Sequence, residues 1–472
     1  MLSVCSGFLL RTPEIRPGGE VMDERAAGRD ERLTLATPSC RLCAREISFC
    51  MQPPAVEARV AMRLRQGNAD IILVGRSIMI DSTRRTFIKT AAAVTAASQA
   101  RILGANDRIR VAGIGTGGRG QYLLGIVSKT PGTEIVAVCD VYEPHRAQAR
   151  KNSAPNAREV VDYREILDDK TVDAVVIAAP NHWHVPMTVD AVGAGKDVYC
   201  EKPVTHTIEE GDGLEKAVDQ SRRIVQVGMQ QRSWPHFAEA KSLVEAGELG
   251  QVTYIRTYWY QNHLPFGNGP FSADPAKLDW KRWLGNAPAR PFEAIRFEHW
   301  RWFWDYGEGA LTDLFSHWVD VVHWIMGSDT PSVATALGSK WALPLRECPD
   351  TMSAAFEYPA KFLVGYDGSL IGYREGGGMI FHGTKAMLRL HRGGYGVYPE
   401  LPSYSESPEL DAPSQSAKSQ RDGTPYHIEN FLDCVRSRHA PNAPVAVGIA
   451  AARAGHLGNI AMRQKRVVTY PV

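Results

Sequence analysis

Short apolar runs separated by glycine, proline and charge dominate the middle of the chain. Ile109 to Ile114 is one such run and reads as a short buried strand, with Arg110 at its start. A glycine-rich hexapeptide, Gly115-Thr116-Gly117-Gly118-Arg119-Gly120, follows, and an apolar helical stretch begins at Tyr122. Glu134 to Cys139 is a second strand, ending in Asp140. The alternation continues through a helical Tyr163–Leu167, a strand over Val172–Ala179, a helix over Met187–Ala194 and strands over Asp197–Cys200 and Ile224–Val227. Repeated strand–helix units predict a doubly wound parallel sheet. Residues 399–425, rich in proline, serine and charge, predict a surface loop, and Tyr426–Arg436 and Val447–Met462 predict closing helices. No internal repeat is visible.

The glycine hexapeptide gives this pattern its first chemical content. Two registers fit G-x-G-x-x-G; the one using Gly115, Gly117 and Gly120 leaves a full strand before the turn. Glycines there permit a tight turn and close approach of a pyrophosphate to a helix N-terminus. Asp140 lies twenty residues after Gly120, where an acid accepts hydrogen bonds from ribose hydroxyls and repels a 2′-phosphate. The expected cofactor is therefore NAD rather than NADP. Ligands of such sheets sit at the carboxyl ends of strands. Pro180-Asn181-His182-Trp183-His184 and Glu201-Lys202-Pro203 fall there.

The chain has 472 residues, room for two ordinary domains and extra segments. Its net charge of +2 argues against nucleic acid or a membrane surface as partner, and no apolar stretch is long enough to span a bilayer. Four of eight cysteines lie in the first 50 residues, but the Cys40/Cys43 pair has no second pair or nearby histidine to complete a zinc set. Residues 1–78 hold eleven arginines and no lysine, unlike the body that follows. They are either a disordered extension or a gene-model artefact upstream of a start at Met79, the reading favoured by what comes next. Ser82-Thr83-Arg84-Arg85-Thr86-Phe87-Ile88-Lys89 resembles a twin-arginine export signal, followed by an Ala-rich run over Thr90–Ala97 and small residues at Ser98-Gln99-Ala100. The expected organisation is extension 1–78, signal 79–104, NAD-binding domain 105–228 and substrate and oligomerisation domain 229–472, in a protein exported to the periplasm.

With these motifs assembled, residues 107 to 465 resemble the glucose–fructose oxidoreductase, inositol dehydrogenase and rhizopine-catabolism (Gfo/Idh/MocA) family. The carrying motifs are GTGGRG at 115–120, CD at 139–140, AAPNHWH at 178–184, EKP at 201–203 and GEGALTDLFSHWVD at 307–320. The resemblance implies an α/β protein, with an N-terminal Rossmann domain and a C-terminal α/β domain whose large, open, mostly antiparallel sheet mediates homo-oligomers. It implies that Lys202 is the catalytic EKP lysine and that Asp313 and His317 are the D-x-x-x-H pair. The family pattern often begins GGG where this chain has Gly307-Glu308-Gly309, so Glu308 is a departure that bears on the pocket.

The residue chemistry agrees with those roles. An imidazole at His317 can take an alcohol proton, and Lys202 can stabilise the developing charge on oxygen. Asp313, one helical turn before His317, can orient it or hold the substrate hydroxyl. Cofactor candidates are Gly115, Thr116, Gly117, Gly118, Arg119, Gly120, Asp140, Pro180, Asn181, His184 and Glu201. Ten of eleven tryptophans follow residue 230, and indole faces suit sugars. Substrate candidates are Trp183, Arg232, Tyr260 and Trp302, with His236 and His263 weaker. Asp320 shares a face with Asp313 and His317, but a packed helix accounts for it more simply than a metal, so no metal is expected. Three functions stay open: a dehydrogenase of a carbohydrate or cyclitol; a redox-neutral NAD-assisted glycosidase, lyase or sugar–sugar oxidoreductase with retained cofactor; and a non-catalytic sensor.

Overall fold

The computed structural model describes residues 64–66, 69–71, 108–267, 269–402 and 412–471. The Cys40/Cys43 pair, the twin-arginine-like segment and its Ala-rich run lie outside them. Contacts divide the chain into units 1–93 and 94–472. In the first, the described residues form an antiparallel hairpin of β1 (Leu64–Gln66) and β2 (Ala69–Ile71).

The second unit holds two sheets. The first is six-stranded and wholly parallel: β3 (Ile109–Ile114), β4 (Thr133–Cys139), β5 (Arg158–Val160), β6 (Ala174–Ile177), β7 (Asp197–Cys200) and β8 (Val225–Val227). Their spatial order, β5-β4-β3-β6-β7-β8, is the doubly wound order of dinucleotide-binding folds. Chain order reverses between β3 and β6, so the turn after Ile114 and the segment after Ile177 share one crevice. All four residues of β6 and of β7 are buried, as strands covered on both faces must be. β5, three residues at the sheet edge, is too short to carry a periodic signal and was not foreseen. The helix after the turn, α1 (Gly118–Val127), starts four residues before the apolar stretch that announced it.

The second sheet is nine-stranded and mostly antiparallel, in the order β16-β15-β14-β13-β9-β12-β11-β10-β17. These strands are β9 (Val252–Tyr260), β10 (Val333–Ser339), β11 (Thr351–Tyr358), β12 (Phe362–Ser369), β13 (Gly377–Gly383), β14 (Ala386–His391), β15 (Gly394–Pro399), β16 (Gln415–Lys418) and β17 (Val468–Thr469). Only β9 and β12 pair in parallel. Alternation is regular: in β11, Met352, Ala354, Phe356 and Tyr358 are buried and Ser353, Ala355 and Glu357 are exposed. β16 corrects the expected loop over 399–425, of which 403–411 lie outside the described residues.

The two closing helices are Gly423–Ser437 and Val445–Gln464. The last one joins the sheets. A Cβ on its Gly448 would meet Val227 of β8 at 2.7 Å, and one on Gly455 would meet the Leu311 carbonyl at 2.7 Å. Small residues along this helix thus let it press both on the parallel sheet and on the segment carrying Asp313. Among the described residues no helix is long and apolar enough to cross a membrane.

Candidate active site

The glycine turn is built by close backbone approach. Gly115 has φ 78°, and a Cβ there would stand 2.6 Å from the Ala179 nitrogen. A Cβ on Gly120 would stand 2.1 Å from the Gly115 carbonyl oxygen. Gly117 caps α1 without any side-chain hydrogen bond, so the helix start keeps donors for an anion. Asp140 accepts from Thr116 N at 2.7 Å and from Tyr142 N at 2.9 Å, one donor per oxygen, with His145 Nδ1 3.3 Å away. A carboxylate has about four acceptor sites, so room for ribose hydroxyls remains. Gly115, Gly117, Gly118, Asp140, Pro180 and Trp183 line a cavity of about 750 Å³. Its far wall comes from Lys281–Trp283 and Trp300–Arg301, beyond the parallel sheet. Glycines that a Cβ would fill, an uncapped helix start and an acid with free lone pairs fit an NAD molecule.

Four expected cofactor residues, His184, Glu201, Arg119 and Asn181, have partners within the protein. His184 is buried, with Nδ1 2.7 Å from the Pro203 carbonyl and Nε2 2.8 Å from the Ala179 carbonyl. Each nitrogen faces a carbonyl oxygen, and the ring, through the one N–H it carries when neutral, ties the segment after β6 to the EKP segment. Glu201 is buried against Arg119, Nε to Oε1 2.7 Å, with no space for a Cβ on Gly228 beside it. This pair clamps the glycine turn to the EKP segment, so each acts by positioning. Burial raises the carboxyl pKa of Glu201, but Arg119 and Lys202 outweigh it and hold it low. Asn181 donates to the Gly307 carbonyl at 3.1 Å, while its buried Oδ1 has no partner.

Lys202 follows directly. Its ammonium donates to both the backbone carbonyl and Oδ1 of Asp313, each at 2.6 Å. Three N–H donors with two used leave one free. Arg301 reaches the same Oδ1 at 3.3 Å. Burial favours the neutral acid at Asp313, but Lys202 and Arg301 hold its pKa down at about 2. Burial pulls Lys202 below its usual value against the upward effect of Asp313. Asp313 stands in a π-helical turn, Leu311–Phe315, which runs into a helix over Ser316–Met326. Such wide turns are common at functional sites. The carboxylate therefore serves Lys202, the partner that sequence spacing did not suggest.

His317 is buried and stacked on Trp259, ring centres 5.7 Å apart and planes 20° apart. Its Nδ1 has no hydrogen-bond partner. Burial, then Lys202, Arg392 and Arg119, drive its pKa well below the ordinary value, so the ring is a neutral proton acceptor at pH 7.

The substrate candidates divide. Trp183 lines the cavity, its Nε1 donating to the Trp283 carbonyl at 2.8 Å. Arg232 is corrected: its Nε donates to both oxygens of buried Asp320, at 2.8 and 3.0 Å, and this pair also removes Asp320 from any shared site with His317. Trp302 is corrected too, being buried and stacked on His299 at 4.0 Å. Tyr260 misses by one residue. Alternation along β9 puts it on the face of Arg256, whereas Trp259 takes the face of His317. His236 is buried, with Nε2 2.9 Å from the His391 carbonyl. Among the described residues no group of three potential ligands converges on a metal position.

Glu308, the departure noted in the sequence, has φ 59°, a left-handed conformation that favours glycine. Its carboxylate lies 3.0 Å from His456 Nδ1, in ion-pair contact though off the line of a hydrogen bond. His456 Nε2 lies 3.2 Å from Thr205 Oγ1. Glu308 precedes Asp313 by five residues and Thr205 follows Lys202 by three, so this chain of contacts links the two flanks of the Lys202–Asp313 pair.

A doubly wound crevice that fits a dinucleotide stands beside a Lys–Asp–His cluster, and comparison with known proteins gives the family. Residues 109–229 match the oxidoreductase family model with an NAD-binding Rossmann fold, and residues 237–389 match the Gfo/Idh/MocA C-terminal domain, together more than half of the chain. The chain belongs to the Gfo/Idh/MocA family, and its parallel sheet is that family's NAD-binding Rossmann fold. It is 33% identical over 160 residues to scyllo-inositol 2-dehydrogenase (NAD(+)) of Bacillus subtilis (strain 168), covering 34% of this chain and 46% of that protein. It is 30% identical over 181 residues to levoglucosan dehydrogenase of Pseudarthrobacter phenanthrenivorans (strain DSM 18606 / JCM 16027 / LMG 23796 / Sphe3), covering 38% and 39%. The matched stretch is thus less than half the length of each of these relatives. Among solved structures, levoglucosan dehydrogenase in complex with NADH and levoglucosan shares the fold at TM-score 0.62 and 18% identity, over 77% of this chain and 100% of that one. Aldose-aldose oxidoreductase from Caulobacter crescentus complexed with glycerol shares it at TM-score 0.58 and 18% identity, over 77% and 99%.

Proposed function

We propose that this protein is an NAD-dependent oxidoreductase acting on a CH–OH group of a carbohydrate or cyclitol. The observation that carries the reading is the meeting of Lys202, Asp313 and His317 beside the glycine turn. NAD would supply the hydride acceptor when bound, held by the turn from Gly115 to Gly120 and by Asp140, with Pro180 lining the same cavity. His317 takes the hydroxyl proton at an imidazole nitrogen, for which its neutral state suits it. Lys202 turns its remaining N–H to the same oxygen and stabilises the charge that develops there. Asp313 fixes Lys202 through two contacts and keeps the ammonium charged despite burial. The inositol and levoglucosan dehydrogenases among its relatives support a polyol substrate.

A second reading keeps the same groups but returns the hydride within each turnover, as a redox-neutral NAD-assisted glycosidase, lyase or sugar–sugar oxidoreductase. The Arg84-Arg85 sequence favours it, because an exported enzyme meets little free NAD and gains by retaining its cofactor. We propose export by that route and assembly as a homo-oligomer. Fractionating cells that carry Arg84→Lys/Arg85→Lys tests the export. Incubating the purified protein with NAD, cyclitols, free sugars and aryl glycosides tests the chemistry. NADH accumulating with a polyol supports the first reading, and glycoside cleavage without NADH supports the second. Nucleotide binding with no turnover on any of them refutes both.

A further inference from the structure

Arg392 stands at the tip of the hairpin between β14 and β15, where no sequence motif marked it. Its guanidinium carbon lies 4.9 Å from the centre of the Trp259 ring and 5.9 Å from that of Trp318. Trp259 in turn stacks on His317, the proton acceptor. The hairpin tip is fastened: the His391 carbonyl faces His236, Gly393 N donates to His391 Nδ1 at 3.0 Å, and Ser419 N donates to the Gly393 carbonyl at 2.9 Å.

Among the described residues Arg392 nonetheless has no counter-ion. Its Nε is enclosed without a hydrogen-bond partner, and it forms no ion pair among the described residues. The acids whose charge reaches it are committed elsewhere: Asp422 caps the helix at Thr424 with a 2.6 Å bond, and Glu201 holds Arg119. The cations around His317 therefore do not balance. Lys202 and Arg301 share Asp313, Arg119 takes Glu201, and Arg392 is left over. A half-buried guanidinium whose Nε is enclosed without an acceptor is costly, and its planar fork of donors matches a carboxylate or phosphate. The indole faces orient it and leave the edge of that fork free.

We propose that Arg392 receives an anionic group carried by the substrate, so that the site takes an acidic sugar or cyclitol derivative, a uronate or a sugar phosphate. The proposal rests on the dehydrogenase reading above. The substrate is a better source of the anion than the cofactor diphosphate for two reasons. The uncapped start of α1 already offers amides to the diphosphate. Trp259 and Trp318 also place Arg392 on the side of His317. Burial pulls the Arg392 pKa below the usual guanidinium value, a cost that a bound anion removes.

The test compares D-glucuronate, D-galacturonate and sugar phosphates with their neutral parent aldoses, using full-length wild-type, Arg392→Gln and Arg392→Lys proteins. The expected result is NAD reduction with kcat/KM at least about tenfold higher for an acidic substrate. Arg392→Gln should lower that value by roughly 100-fold, lower kcat/KM for the parent aldose far less, leave NAD affinity in place, and be partly rescued by lysine. Neutral sugars matching the acidic ones would overturn the proposal while the dehydrogenase reading stands. So would an Arg392→Gln protein whose main defect is weaker NAD binding, which would assign the arginine to the diphosphate. If no sugar reduces NAD, the dehydrogenase reading fails by itself. Calorimetric binding of the same acids to the NAD-loaded protein then decides for Arg392: binding lost in Arg392→Gln upholds it, and no binding to wild type ends it.

Discussion

Replacing Asp313 by asparagine removes the charge on which Lys202 depends while preserving shape. The structure sets the size of the effect. The carboxyl pKa falls from its ordinary 3.8 to about 2 in the folded protein, which corresponds to about 2 kcal/mol of stability. The sign follows from the depressed folded value. This stability is fully present above the unfolded carboxylate pKa and is lost as pH falls through about 2, so at pH 7 all of it is available. Solvent screening takes little, since the two side chains are only 9% and 16% exposed. The ammonium returns part of the gain because burial disfavours it. The clean reading is therefore a double-mutant cycle of Asp313→Asn and Lys202→Met in urea unfolding at pH 7. We expect Asp313→Asn alone to cost about 2 kcal/mol, and most of that cost to vanish once Lys202 is methionine. Turnover should fall by roughly 100-fold in Asp313→Asn, because Lys202 loses its anchor. Equal costs of Asp313→Asn with and without Lys202 would refute the pairing and the role built on it.

Gly115→Ala forces a Cβ to 2.6 Å from the Ala179 nitrogen at φ 78°, so NAD affinity should fall at least about tenfold with a lowered melting temperature; fluorescence titration with NAD checks it. Burial holds His182 at about 3, His323 at about 3 and His427 at about 4. These rings stay neutral when folded, so their stabilisation is present above pH 6.5 and lost as pH falls toward those values. The unfolding free energy measured in urea should drop between pH 7 and 5.5 by on the order of 1 kcal/mol per ring, and a flat profile would contradict their burial. Glu308→Gly and His456→Phe should couple by about 1–2 kcal/mol in a double-mutant cycle, since either change strands the other's buried partner; strict additivity would separate the two residues.

The course of the chain was legible wherever a periodic run met a punctuating residue. Ile109–Ile114 followed by Gly115 announced the first strand and the turn, and the matched order of acid, PNHWH and EKP announced the crevice. The short edge strand Arg158–Val160 had no such run. The structure brings together Lys202, Asp313 and His317 of the candidate site, but their pairings were not legible, because side-chain partners come from distant segments. Asp313 meets Lys202 across 111 residues, and Arg232 meets Asp320 across 88. Tyr260 was chosen for its chemistry alone; the two-residue alternation of β9, read from buried Ile255 and Thr257, points instead to Trp259. Arg392 sits on a hairpin tip held by His236 and Ser419 and meets Trp259, all distant in sequence except Ser419, so nothing local distinguished it.

In the proposed reaction, hydride passes between a substrate carbon and the nicotinamide beside Lys202 and His317. A polyol substrate deuterated at the carbinol carbon, incubated with NAD and the purified protein, tests this directly by mass spectrometry of the nucleotide. Deuterium should appear on the nicotinamide ring in the wild-type protein, transiently if the hydride returns, and not in Lys202→Met. A nucleotide that stays unlabelled while the substrate is converted would contradict it.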